Sequence, residues 1–103
     1  MPLQISIYAQ RDLVGIRRYI AQDQPKNADA WIIRLLETCK RLELFPDLGQ
    51  PVAFIARLVF CFPVGRYLVI YRKRDDGRGV VILRVLHSAQ NIQRIFEGPF
   101  DES

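Results

Sequence analysis

The sequence predicts an α+β domain in which a helical hairpin lies on a mostly antiparallel sheet. Between residues 9 and 45, apolar side chains recur at three- and four-residue steps, the period of helices buried along one face. From residue 55 the pattern changes to short runs rich in Val, Ile, Leu, Phe and Tyr, separated by hairpin-type turns. A chain of 103 residues is read as one domain, 1–103, whose core is large enough to stand without metals or disulfides.

The elements follow in order. Leu3, Ile5 and Ile7 alternate with Gln4, Ser6 and Tyr8, which reads as a short N-terminal strand buried on one face. Ala9, Leu13, Ile16 and Ile20 then mark a first helix, with Arg11, Asp12, Arg17 and Arg18 on its polar side. Asp23-Gln24-Pro25 interrupts it. Pro25 suits the first turn of a second helix, where a missing N–H has no partner to lose. Ala28, Ile32, Leu35, Cys39 and Leu42 form the stripe of that helix, widened by Trp31, Leu36 and Phe45. Pro46 ends it, and a turn runs through Asp47, Gly49 and Pro51. The joint is so tight that the two helices must pack as an antiparallel hairpin.

Residues 55–62, 67–72 and 80–86 read as a three-stranded antiparallel meander. Its connections are Pro63-Val64-Gly65-Arg66 and Asp75-Asp76-Gly77-Arg78-Gly79. These strands are apolar almost throughout, so both sheet faces need cover: one from the helices, the other from the tail or a partner. Residues 89–96 read as a short amphipathic C-terminal helix with Ile92 and Phe96 on one side, closed by Gly98-Pro99.

Several classes are excluded. No basic leader precedes an apolar stretch at the N-terminus. The longest apolar run, 58–64, falls far short of the roughly 20 residues of a membrane helix. A cytoplasmic protein with no membrane partner is expected. Cys39 and Cys61 sit among apolar residues without CxxC spacing, as plain buried thiols do, and no metal or cofactor is expected.

The net charge of +4 is unevenly placed. Residues 57–84 hold seven basic side chains against two acidic ones, while residues 1–56 are nearly balanced. Twelve of the fifteen cations are arginine, the side chain suited to bidentate contact with carboxylate or phosphate. This points to an acidic partner without choosing between protein and nucleic acid.

The order of elements and several local strings together resemble the ParE branch of the ParE/RelE toxins. The strings are Arg11-Asp12-Leu13 with Ile16 and Tyr19-Ile20-Ala21; Pro25 and Ala28; Leu42-Glu43-Leu44-Phe45-Pro46 and Gly49. The most specific are Phe62-Pro63-Val64-Gly65-Arg66-Tyr67-Leu68-Val69-Ile70-Tyr71 and Ile82-Leu83-Arg84-Val85-Leu86-His87. The resemblance implies the toxin half of a toxin–antitoxin pair, neutralised by a ParD-like antitoxin encoded beside it. ParE-like members poison DNA gyrase, whereas RelE-like members cut messenger RNA on the ribosome. A shared fold cannot choose between these, so the choice rests on the site.

A ribonuclease needs groups that activate the 2′-hydroxyl, neutralise the phosphate and protonate the leaving oxygen. RelE-type nucleases resemble one another in placing basic residues on the central strands. Here Leu58-Val59-Phe60-Cys61-Phe62 has none, Leu68 stands where an arginine is expected, and no tyrosine follows Tyr71. No catalytic residue is therefore assigned, and gyrase inhibition is the favoured reading. A RelE-type ribonuclease using His87, Arg84 and Arg66, or an inactivated toxin serving only as antitoxin partner, are the alternatives. Nucleic acid is expected to be met only indirectly, through the antitoxin complex.

The target-binding candidates are Arg57, Arg66, Tyr67, Arg84, His87 and Gln90. His87 reads as a general acid or base, or as a structural imidazole at a strand end; it has no charged companion nearby in sequence, which favours the second. Arg84 is expected to point away from Leu83 and Val85, either to a carboxylate at the sheet edge or into a basic groove. Arg57 and Arg66 flank the first meander strand and its hairpin, where loops carry function on a rigid sheet. Tyr67 and Tyr71 share a strand face and read as core. Arg72-Lys73-Arg74 reads as a solvated hairpin end. Gln90 stands where the resemblance leads one to expect an arginine, which keeps hydrogen bonding but removes a charge.

Overall fold

Ser6 decides how the chain begins. In a computed structural model, which describes residues 3–52, 55–90 and 92–97, its backbone is extended and its Oγ accepts from the Ala9 N–H at 3.1 Å. That cap starts helix α1 (Ile7–Asp23) and confines strand β1 to Gln4–Ile5. Ile7, expected on the strand, thus belongs to the helix and is exposed. Helix α1 stops at Gln24, and Pro25 opens α2 (Pro25–Leu44) at the position where proline is tolerated.

A single 3-10 turn (Pro46–Leu48) leads into β2 (Gln50–Pro51), a two-residue strand that carries no pattern of its own. Tyr71 holds this turn, its hydroxyl donating to Pro46 O at 2.7 Å and accepting from Gly49 N at 2.8 Å. Strand β3 (Val59–Val64) begins four residues later than the apolar run suggests. Leu58 adopts a positive φ of 65°, which breaks the extended path before it. Pairing then continues to Val64 opposite Tyr67, so β3 and β4 (Tyr67–Lys73) are joined by Gly65 and Arg66 alone. Gly65 takes a φ of 59°, and a Cβ there would stand 2.6 Å from the Trp31 ring. Strand β5 (Val80–His87) and helix α3 (Ile92–Glu97) complete the described chain.

The sheet order is β1-β5-β4-β3-β2, antiparallel except for the parallel β1–β5 pair. Between the helices and one sheet face lie Leu35, Cys39 and Leu42 of α2, Ala9 of α1, and Tyr67, Val69, Tyr71, Ile82 and Val85. On the other face Val59, Ile70, Leu83 and Leu86 are covered by Val52, Ile55, Ala56, Ile92 and Ile95. The need for cover on both faces is met by the segment before β3 and by the last helix. Phe96's side chain and Gly98-Pro99 lie outside the described residues. Cys39 is buried and Cys61 half-buried, both as free thiols. No helix among the described residues is long and apolar enough to cross a membrane.

Both sheet edges are blunted. Beyond β1, side chains meet β5: Ser6 Oγ donates to Leu83 O (2.7 Å), Val85 N to Asp12 Oδ2 (2.9 Å) and His87 N to Gln90 Oε1 (2.8 Å). At the opposite edge, Pro51 and Pro63 lack an N–H to offer.

Candidate functional site

The site is built where α1 crosses the end of β5. Between Ile70 and Tyr71 the β4–β5 register shifts, Ile70 facing Arg84 and Tyr71 facing Ile82. Leu83 is the extra residue of this bulge. It packs on the outer face, as does Ile70, the cross-strand partner of Arg84, while Val85 packs on the helix side. Arg84 therefore does not point opposite to both neighbours, because the bulge suspends the alternation that expectation assumed.

The Arg84 guanidinium reaches Asp12 of α1. Nε donates to Oδ2 at 2.7 Å and Nη2 to Oδ1 at 2.9 Å, with the two side chains 20% and 14% exposed. The pair raises the Arg84 pKa above its ordinary value, chiefly through these hydrogen bonds. Of the two uses considered for Arg84, the structure shows a carboxylate pair.

His87 closes the strand. Its Nδ1 accepts from Ala89 N at 3.1 Å, its ring stands edge-on to Tyr67 with centroids 5.6 Å apart, and Gln90 N returns to His87 O at 2.9 Å. The Gln90 carbonyl accepts from His87 N, and Ser88 N donates to Arg66 O at 2.8 Å. Tyr67 is edge-on to Trp31 as well, at 5.6 Å. The strand end, the Gly65–Arg66 turn and α2 are thus fastened into one corner. Burial, then Tyr19, raises the Tyr67 pKa, while Arg66 opposes the shift.

Against this corner lies a groove of about 450 Å³, with Arg11, Gly15, Ile16 and Tyr19 on one wall and Tyr67, Val85, His87 and Gln90 on the other. A second hollow of about 330 Å³ shares Tyr19 and Tyr67 and adds Arg66, Trp31, Asp23 and Gln24. The structure therefore brings Tyr67, His87 and Gln90 together, with Arg66 next door. Arg57 is elsewhere. Leu58 O accepts from Lys73 N, which puts Arg57 beside the last residue of β4 while Arg66 precedes its first, roughly 20 Å apart. The 72–74 stretch is largely engaged at that far end, with Arg72 on Asp75 and Lys73 on Asp47 and over the Phe60 ring.

Arg11, Gly15 and Tyr19 were not singled out from the sequence as a site. They are spaced by four along α1, which places them on one face, but a glycine in the middle hides the stripe. Among the described residues no group of three or more His, Cys, Asp or Glu could hold a metal ion.

Residues 3–92 match the family described as the ParE toxin of the type II toxin–antitoxin system parDE. The chain belongs to that family. Toxin RelE3 of Caulobacter vibrioides is 34% identical over 83 residues, spanning 80% of this chain and 88% of its own. Among solved structures, the chromosomal ParDE system of P. aeruginosa superposes with a TM-score of 0.70 at 21% identity, over 84% of this chain and 95% of the other. The toxin–antitoxin complex RelBE2 of Mycobacterium tuberculosis gives a TM-score of 0.52 at 27% identity, over 84% and 99%. The protein is thus a toxin of the ParE/RelE superfamily, with two long helices on a five-stranded mixed sheet.

Proposed function

We propose that this ParE-family toxin acts without catalysis, by binding DNA gyrase, and that a ParD-like antitoxin holds it in check. The observation that carries the reading is the position of Arg84. A nuclease of this architecture needs a free cation at the strand end to neutralise phosphate, and here both donor edges used by Arg84 are closed on Asp12. Strand β3, from Val59 to Val64, adds no basic side chain. His87 has its Nδ1 occupied by the backbone, and no carboxylate among the described residues bonds to it. The antitoxin follows from the family and from the solved relatives, which are toxin–antitoxin systems. In a supercoiling assay the purified toxin stops gyrase or raises gyrase-linked breaks, and added antitoxin restores activity. Unimpaired gyrase at large molar excess would sink the reading.

One observation favours a ribonuclease instead: His87 and Tyr67 line the same groove, with Arg66 beside it. Primer extension on a translated message separates the two. Cuts near the ribosomal A site that vanish in His87→Ala support the nuclease and an uncut message supports the gyrase reading. Growth unaffected by expression without antitoxin would instead mark an inactivated toxin.

A further inference from the structure

The polar atoms around the α1 groove are unequal. Its carboxylate, imidazole and amide acceptors are already taken: the Asp12 carboxylate by Arg84 and the Val85 N–H, His87 Nδ1 by Ala89 N, and the Gln90 carbonyl by His87 N. The charged and amide groups left over are donors. They are the Arg11 guanidinium, the Gln90 amide NH2 and His87 Nε2, which carries the proton in the neutral ring because Nδ1 is accepting. None of the three has a partner among the described residues. The Tyr19 and Tyr67 hydroxyls can donate as well, and Ile16, Val85 and the tyrosine rings supply apolar surface.

Gly15 is an independent pointer. It sits in the middle of α1, where glycine costs about 1 kcal/mol relative to alanine. Its backbone needs no positive φ, and a Cβ added there meets nothing within 4 Å. Packing within the chain therefore gives no reason for glycine. What the missing side chain does is keep the groove wall flat, so that another backbone can come close.

We propose that this groove receives the carboxylate of an Asp or Glu side chain from a partner polypeptide. The acid lies between Arg11 and the His87–Gln90 corner, and the partner's backbone passes over Gly15. A carboxylate fits better than a phosphate because a single guanidinium enters the groove, and the next cation, Arg66, shares its separate hollow with Asp23. The exposed Tyr19 ring and Ile16 give cover to apolar residues beside the acid. This goes beyond the gyrase reading, since it fixes the chemistry received and not which polypeptide supplies it.

The test is amide chemical-shift titration of the full chain with a synthetic alanine–leucine peptide bearing one central glutamate. Parallel arms use the glutamine version of that peptide and inorganic phosphate. Shifts should gather at Gly15 and at 87–90, and the glutamine peptide should bind about tenfold more weakly, the loss of one charge-assisted contact. Arg11→Gln should weaken the glutamate peptide by a similar factor, and Gly15→Leu should block it without lowering Tm. Equal binding of both peptides, shifts produced by phosphate but not by peptide, or no shifts at peptide concentrations of about 10 mM would each overturn the proposal. Gyrase inhibition, measured separately on the same variants, distinguishes failure of this site from failure of the gyrase reading.

Discussion

One oxygen of Asp12 binds Arg84 and the backbone of its neighbour at once: Oδ2 accepts from Arg84 Nε at 2.7 Å and from Val85 N at 2.9 Å. That shared acceptor pins α1 to the bulge of β5. Removing one member of a largely buried pair leaves the other without a partner. Asp12→Ala should therefore cost about 2–3 kcal/mol, discounted for the fraction still exposed. Urea denaturation reads the loss, and a cost under about 0.5 kcal/mol would show that water replaces the carboxylate freely.

Gly79 is held at a φ of 89°, and a Cβ there would collide with the Glu43 carboxylate, whose Oε1 accepts from Val80 N at 3.0 Å. Gly79→Ala should lower stability by about 2–3 kcal/mol, from the left-handed backbone and the displaced acceptor together. A Tm within a degree or so of the parent sequence would refute the clasp.

Gly15→Ala should go the other way. With open space around the added methyl, the gain in helix propensity is about 0.5–1 kcal/mol. Thermal unfolding of the two proteins side by side decides the sign.

Alkaline pH should unfold the protein early. Burial pushes the Cys39 thiol from 9.0 up to about 12. The unfolded chain gives up that proton at lower pH than the folded one, so stability held below pH 9 is lost as pH rises toward 12. Cys61, Tyr67 and Tyr71 shift in the same direction, each mainly through burial. The urea midpoint should stay level from about pH 7 to 8 and fall steeply above 9; a flat profile to about pH 11 would contradict the burial of these groups.

Tyr71→Phe should cost about 1–2 kcal/mol, because Pro46 O and Gly49 N lose their common partner. Hydrogen exchange at Gly49 should accelerate more than exchange in α1.

The parts of the fold that repeat were legible. Ala28, Leu35, Cys39 and Leu42, read as the stripe of the second helix, are all buried. What escaped was set by single residues: the cap at Ser6 that claimed Ile7 for the helix, the positive φ of Leu58 that delayed β3, and the bulge at Leu83. Strand β2 is too short to show a period. At the site, Tyr67, His87 and Gln90 could be named from the strings that carry the resemblance, and the pairing of Tyr67 with His87 across β4 and β5 brings them together. The partner of Arg84 could not, since Asp12 is 72 residues away in sequence and nothing local marks the pair.

The blunted sheet edges have a consequence for recognition. Strand addition is read through backbone groups, which are alike in every chain and so discriminate poorly. With β5 met by Ser6, Asp12 and Gln90, and prolines at β2 and β3, that promiscuous route is closed along these stretches. A partner must instead match side chains, where one exchanged residue can exclude a stranger. Along these stretches, selectivity among similar partners would rest on side-chain complementarity alone.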